Sequence, residues 1–486
     1  MKLKELLEGL AVLEMTADPD TDISGLSYDS RTTRPGDLFF AIRGFQTDGH
    51  KYIPKAVELG ADVILCETAP EQDIPYVRVE NARYALAVCS AAFFGHPSKQ
   101  MKMIGMTGTN GKTTTSYLIK HMLEMDPSNK VGLIGTNGNM IGEEFIHSER
   151  TTPESFELQK LFAEMLEKGC THVVMEVSSH SLVLDRVAGI HFDTAIYTNL
   201  TQDHLDFHGT MENYADAKKM LFSMCDCACI NEDDPWSGYM QEGCTAPRMI
   251  RFSREKEDCE LYATEMELTA KGVRFCFHWE GKAYETKLAI PGLFSVSNAL
   301  GTIAAGLSLG VSPERCAEAI CGSVGVKGRV EVVPTDGDYS ILIDYAHTPD
   351  ALENVLKTVK PLAKGRVIAL FGCGGDRDRK KRPMMGRIAA SIADICLVTS
   401  DNPRTEDPMA IIEEILPRME GFDTEIQVIC DRIEAIHWAI DHACEGDVIL
   451  LAGKGHEDYQ EINHVKHHMD EREIVADYLK KRGQNK

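Results

Sequence analysis

Thr107-Gly108-Thr109-Asn110-Gly111-Lys112-Thr113-Thr114-Thr115 is the run whose residue types and spacing promise the most chemistry. Small residues let backbone N–H groups approach phosphate oxygens, and a helix beginning at Lys112 adds a favourable dipole. Gly108, Thr109, Asn110, Gly111 and Thr114 would form the cradle. Lys112 would reach the β- and γ-phosphates, and the Thr113 hydroxyl would sit on Mg²⁺. A strict version of this motif has glycine where the chain has Met106. The flanks still fit, with an apolar run over 103–106 before it and Tyr117, Leu118, Ile119, Met122 and Leu123 at helical spacing after it. Strand, glycine turn and helix together predict a nucleoside triphosphate site.

Three further positions could work beside that loop. Glu176 follows the apolar run 171–175, where a carboxylate is expensive unless it faces a cation or water. His204 lies in Asp203-His204-Leu205-Asp206-Phe207-His208, a cluster suited to metal and phosphate work, although a capped turn uses the same residue types. In the helical run 211–222, Met211, Tyr214, Ala215, Leu221 and Phe222 share a face, with Lys218 at its centre and Lys219 off it. Either the Lys218 ammonium snorkels past the helix edge, or a depressed pKa leaves an amine able to take up CO₂. Periodicity leaves both open.

The elements that must carry these residues fall into three segments. Over 1–98, strands are expected at 37–42, 61–65 and 76–79, with a helix at 52–59. Over 99–329, strands at 131–134, 171–177 and 192–199 alternate with helical patterns, which predicts a parallel α/β sheet with ligands beyond its C-terminal strand ends. Over 330–486, strands at 339–344, 366–371, 395–399, 425–430 and 447–452 predict a second, Rossmann-like sheet without a dinucleotide fingerprint. The fold class expected is therefore three-domain α/β: a small N-terminal domain, a central P-loop-type ATPase domain and a Rossmann-like C-terminal domain.

Composition narrows the partners. The formal charge of −24 over 486 residues argues against nonspecific binding to nucleic acid or anionic membrane. No apolar run is long enough to insert in a membrane. The 15 scattered cysteines do not form a disulfide framework, and with no export signal they read as reduced thiols in the cytoplasm. Cys225, Cys227 and Cys229 alternate on one face of a strand, a pattern read as structural. His464, His467 and His468 lie in a charged run and are expected to be solvated.

The motifs extend to a resemblance. The phosphate loop, Glu176-Val177-Ser178-Ser179-His180 and the run from Asp203 to Glu212 are similar to the Mur ligase family. So are Asp344-Tyr345-Ala346-His347-Thr348-Pro349, Phe371-Gly372-Cys373-Gly374-Gly375-Asp376-Arg377-Asp378 and Ala452-Gly453-Lys454-Gly455-His456-Glu457. The resemblance spans nearly the whole chain, in order. It implies an amide ligase that uses ATP and Mg²⁺, working as a monomer in peptidoglycan precursor synthesis. It places the acceptor UDP-N-acetylmuramoyl-L-alanyl-D-glutamate against Ser30, Thr151, Thr152, Ser178 and Arg186, and ATP also against Asn298, Arg329 and Asp344. Lys218 matches a carbamylated lysine, which would join Thr113, Glu176 and His204 around metal, with Lys112, Glu176, His204 and Lys218 as catalytic residues. Ser295, Ser297 and Leu184 depart from the family pattern.

The incoming amino acid is indicated by Asp401-Asn402-Pro403-Arg404, which by itself could be an Asx-Pro turn. In the family this motif marks enzymes that take meso-2,6-diaminopimelate, with Arg377, Gly453 and Glu457 as further contacts. Diaminopimelate is lysine with a second carboxylate at its far end, and a guanidinium pairs with that group through two parallel bonds. Lysine would leave the arginine unpaired. A lysine-adding ligase and a relative of folylpolyglutamate synthase are the alternatives within the class. A P-loop switch protein would need a Walker B partner that is not evident. A non-catalytic scaffold would be expected to have lost Lys112 or Glu176.

Overall fold

The computed structural model describes residues 1–44, 47–71, 73–148, 150–323 and 325–484. The chain divides into two compact units, residues 1–260 with 301–312 and residues 261–300 with 313–486.

The first unit begins with a five-stranded sheet. Its order is Val12–Met15, Tyr76–Val79, Val63–Cys66, Asp37–Ala41 and Gly25–Ser27, parallel except for the first pair. Asn81 caps the helix Ala82–Phe93 by accepting from the N–H groups of Arg83 and Tyr84, and the helix lays Ala82, Ala85, Leu86 and Cys89 onto the core.

The same unit holds the strands that carry the phosphate loop. Lys102–Thr107 lies between Phe192–Tyr197 and His172–Glu176, parallel to both. Val131–Gly135 pairs beyond His172–Glu176, and Cys225–Asn231 and Arg248–Ser253 extend the other side. The chain leaves Lys102–Thr107 toward both flanks, so the carboxyl ends of the central strands frame a crevice of the kind that binds ligands in α/β sheets. Register matters here. Glu176 is paired with Met106 and Tyr197 with Thr107, so all three strands end at one level around the loop.

The second unit contains an antiparallel meander, Leu261–Thr269, Gly272–Trp279 and Lys282–Leu288. It also contains a six-stranded sheet in the order Glu331–Val333, Ser340–Asp344, Val448–Ala452, Val367–Phe371, Ile395–Val398 and Glu425–Val428. All of its pairs but the first are parallel, and the middle strands are buried on both faces, as near-continuous Val, Ile and Leu predicts. Arg432, 1% exposed, donates to Glu471 and to the carbonyl of Ala452, tying a strand end to two helices. Among the described residues no helix is long and apolar enough to cross a membrane.

Candidate active site

The phosphate loop is shaped by its glycines. Gly108 has φ of +153°, and a Cβ there would collide with the Thr198 hydroxyl. Gly111, at φ +85°, is the N-cap of the helix Lys112–Glu124. Two N–H groups of the cradle are already held: Thr109 donates to the Asn199 carbonyl and Asn110 to the Asn199 side chain, both at 2.9 Å. What the loop offers an anion is therefore the first turn of the helix, whose N–H groups have no intrahelical partner.

Lys112 curls over this turn, its Nζ donating at 2.9 Å to the carbonyls of Gly108 and Thr109. Lys218 donates to the same Gly108 oxygen, also at 2.9 Å. It lies on the helix Met211–Lys219, is 2% exposed and sits 4.4 Å above the Tyr214 ring. The helical phase expected from sequence is thus the one observed, and the ammonium does not snorkel out. Burial pushes the Lys218 pKa well below its ordinary value and the charge of Lys112 pushes the same way, with Asp203 opposing. Two ammonium groups on one carbonyl make an electrostatic problem that a neutral or anionic Lys218 would remove.

Glu176 ends its strand fully buried. Its carboxylate accepts from the Thr136 N–H at 3.1 Å and the Thr136 hydroxyl at 3.0 Å, so a residue absent from the motif reading supplies its partners. Gly135 is glycine because Glu176 occupies the space a Cβ would fill. The Thr136 hydroxyl is also 3.0 Å from that of Thr151. Thr152 donates to the Glu176 carbonyl and accepts from the Ser178 N–H. Arg186 donates to the Thr152 carbonyl and pairs with Glu154, which Arg83 and Arg150 also meet. Three guanidinium groups around one carboxylate leave an excess of positive charge. Arg83, Arg150 and Glu154 edge a cavity of about 540 Å³ that Tyr28, Ser30 and Arg31 also line. The acceptor residues expected from the resemblance are therefore linked hand to hand from Glu176 to this cavity.

His204 stands somewhat apart. It is half-exposed, at φ +51°, with Asp203 at 3.4 Å and the His180 ring at 4.9 Å. His208 is held neutral, pushed down to about 4 by burial and by His180 and His204. Among the described residues no three His, Cys, Asp or Glu side chains are grouped to hold a metal. Cys225, Cys227 and Cys229 are all buried free thiols on the strand Cys225–Asn231.

In the second unit, a cavity of about 560 Å³ opens beyond the C-terminal strand ends. Arg377, Asp401, Asn402, Arg404, Gly453 and Glu457 all line it, although they come from three distant stretches of chain. Pro403 lines instead a cavity on the other side of its loop. Beneath the site lies Lys454, 0% exposed, which donates to Asp401, Asn402 and Glu457 at 3.3, 3.0 and 3.2 Å. Asn402 also donates to Glu457 at 2.9 Å. Burial pushes the Asp401 carboxyl up, but Lys454 and Arg432 outweigh it and the pKa falls below the ordinary value. Lys454 was legible only as part of its glycine-flanked motif, and its role as the buried counter-charge needed the structure.

Asp344 ends the strand Ser340–Asp344, accepting from the N–H groups of Val330 and Ala346. Burial raises its pKa, partly offset by Arg329. Arg329 lies 5.5 Å over the Tyr345 ring, and its buried Nε has no hydrogen-bond partner among the described residues. Asn298 is buried on the helix Leu293–Ser308.

Known proteins match the chain over nearly its whole length. Residues 22–101 match the model of the Mur ligase family catalytic domain, 106–306 the Mur ligase middle domain and 328–455 the Mur ligase glutamate ligase domain. The UDP-N-acetylmuramoyl-L-alanyl-D-glutamate–2,6-diaminopimelate ligase 1 of Clostridium acetobutylicum is 47% identical over 99% of both chains. The ligase of the same name, without the numeral, from Clostridium botulinum is 46% identical over 94% of this chain and 95% of its own. A solved structure of such a ligase superposes with a TM-score of 0.76 at 31% identity, covering 99% of each chain. The MurF ligase of Thermotoga maritima, solved in complex with ADP, shares the fold at 18% identity, with a TM-score of 0.57 over 96% of this chain and 99% of its own. With three family models covering most of residues 22–455 and relatives 46–47% identical over nearly the whole chain, the chain belongs to the Mur ligase family.

Proposed function

We propose that the chain is an ATP-dependent ligase joining meso-2,6-diaminopimelate to the γ-carboxylate of UDP-N-acetylmuramoyl-L-alanyl-D-glutamate in peptidoglycan precursor synthesis. One observation carries the choice of amino acid. Arg404 and Arg377 share a cavity with Asp401 and Glu457, which suits a ligand bearing carboxylates and ammonium groups at both ends. In this reading segment 1–98 holds the uridine nucleotide through Ser30, segment 99–329 activates the acceptor and segment 330–486 holds the amino acid.

A carboxylate does not condense with an amine at neutral pH, because oxide is too poor a leaving group. An oxygen of the γ-carboxylate attacks the γ-phosphorus of ATP, ADP departs, and an acyl phosphate forms. The diaminopimelate amine then attacks the acyl carbon, loses a proton, and expels inorganic phosphate. Lys112 and the first turn of its helix stabilise charge on the transferred phosphoryl group. Thr152, Ser178 and Arg186 hold the acceptor beside Glu176. Asn298, Arg329 and Asp344 are assigned to ATP from the family resemblance, and the orphaned Arg329 Nε is open to a ligand. Glu457, fixed by Lys454 and Asn402, accepts from a substrate ammonium.

Thr113 and Glu176 offer oxygen donors of the kind Mg²⁺ prefers. Thr113, Glu176, His204 and Lys218 would hold it, provided that Lys218 carries a carbamate. The neutral Nζ attacks CO₂, an N–C bond forms and one proton leaves, so the net charge of the buried pair Lys112–Lys218 goes from +1 to zero. A cation held by these residues would neutralise charge on the transferred phosphoryl group.

ADP release tests the reading, measured with ATP, the uridine-linked dipeptide and either meso-diaminopimelate or lysine. Release should require both the dipeptide and an amino acid, and should strongly favour diaminopimelate. Release with nucleotide alone would favour a switch protein, and equal use of lysine would overturn the assignment of Arg404.

A further inference from the structure

The far side of the amino-acid cavity is braced by a hairpin that the mechanism above does not use. Its strands Tyr459–Ile462 and Val465–His468 form a two-stranded sheet of their own. The turn residues Asn463 and His464 have φ of +49° and +64°, a two-residue connection of the type that fixes hairpin register. A lone hairpin is marginal in water unless it packs on something.

It packs on Arg404. The Arg404 N–H donates to the Glu461 carbonyl at 3.0 Å, and the Asn463 N–H donates to the Arg404 carbonyl at 2.8 Å. These two bonds hold Arg404 at φ +51°, a conformation that side-chain-bearing residues seldom adopt. The hairpin also grips the two residues that begin the loop. Gln460 donates to the Asp401 carbonyl at 2.7 Å, and the Glu461 N–H donates to the Asn402 side chain at 2.9 Å.

The side chains continue the pattern. Arg404 Nε donates to Glu461 Oε2 at 3.1 Å and Nη1 donates to the Gly375 carbonyl at 2.9 Å. Among the described residues nothing accepts from Nη2. Arg404 lines the cavity and Glu461 does not. A guanidinium held through both Nε and Nη1 has little rotamer freedom left to lose when a carboxylate meets Nη2.

We propose that Glu461, delivered by this hairpin, is a positioning residue for substrate specificity. It holds the Arg404 guanidinium so that its remaining nitrogen, Nη2, meets the second carboxylate of diaminopimelate. The inference rests on the reading of Arg404 given above and adds the element that makes that arginine selective. Lysine, which has no second carboxylate, gains nothing from the brace.

The test compares the wild type, E461A, E461Q, R404A and the double variant R404A/E461A. ADP release gives kcat and KM for diaminopimelate and for lysine. E461A should raise the KM for diaminopimelate roughly tenfold, more than it lowers kcat, and should shrink the preference over lysine. E461Q, whose amide oxygen can still accept from Nε, should recover most of that preference, and it keeps the comparison available if E461A fails to fold. The double variant should be no less selective than R404A alone. Unchanged selectivity in E461A and E461Q would overturn the proposal, and so would a lowered KM, which would mean that Glu461 competes with the substrate for Arg404. If R404A itself keeps the wild-type preference, the reading of Arg404 fails first. If R404A loses the preference and both Glu461 variants keep it, only the brace is lost.

Discussion

In the phosphate loop one unbroken run, 107–115, supplies the turn, the helix start and the lysine, and backbone groups make most of the site. In the amino-acid cavity, Arg377, Arg404 and Glu457 come from separate stretches, and ion pairs with Glu461 and Lys454 help to hold the side chains of Arg404 and Glu457 in place. The difference follows the chemistry. Every triphosphate presents the same oxygens, so a local backbone shape suffices. An amino acid must be told from its near relatives by the placement of a few charges, which needs side chains anchored from several directions. The cavity is therefore where single substitutions should change selectivity, and the loop is where they should change rate.

The largest effect expected on the loop side is that of Lys112→Ala. It should lower kcat by roughly 10³-fold, since one preorganised charge at the transferred phosphoryl group is lost, while diaminopimelate KM moves little. Single-turnover ADP formation checks this. If the loss fell equally on KM, Lys112 would be a binding residue only.

On the cavity side, Lys454→Met should be the most damaging to stability. It leaves Asp401 and Glu457 buried without their cation, a loss of about 3–5 kcal/mol seen as a lowered urea midpoint. A midpoint close to wild type would show that those carboxylates take up protons or water readily. Arg404→Ala should act on selectivity instead, reducing the ratio of kcat/KM for diaminopimelate over lysine by roughly 10²-fold.

The smallest effect is pH-dependent. Arg382, 0% exposed, pairs with Glu406 and Glu414, and Glu406 also accepts from the Asp376 N–H of the loop that carries Arg377. The bond to Arg382 depresses the Glu406 pKa from an ordinary 4.5 to about 2. A depressed carboxylate contributes stability that is present above the unfolded pKa and disappears as pH falls through the folded one. Glu406→Gln should therefore be about 1–2 kcal/mol less stable near pH 7, with the gap closing between pH 4.5 and about 2. Parallel unfolding curves across that range check it.

The same contrast explains what could be read in advance. The loop and the buried phase of Lys218 were legible because contiguous spacing encodes both. Most of the parallel strands were legible as apolar runs, found within a residue or two of their expected ends, whereas Gly25–Ser27 and Arg248–Ser253 passed unread. The partners of the charged groups were not. Nothing local pairs Glu176 with Thr136, or Arg404 with Glu461, because 40 and 57 residues separate them. The histidines at 464, 467 and 468 are exposed as expected, but the hairpin they belong to is defined by its docking on the Arg404 loop. The antiparallel strands Leu261–Thr269, Gly272–Trp279 and Lys282–Leu288 passed unread; exposed polar residues dilute the apolar signal of the first and third, while the second buries Val273, Phe275 and Phe277.

Isotope transfer tests the central claim most directly. The uridine-linked dipeptide, labelled with ¹⁸O in the D-glutamate γ-carboxylate, is incubated with ATP and meso-diaminopimelate. If the carboxylate is activated by phosphoryl transfer, each inorganic phosphate released should carry one labelled oxygen, in step with the tripeptide product. Unlabelled phosphate alongside tripeptide would contradict the acyl-phosphate route, and phosphate released without tripeptide would contradict the ligase.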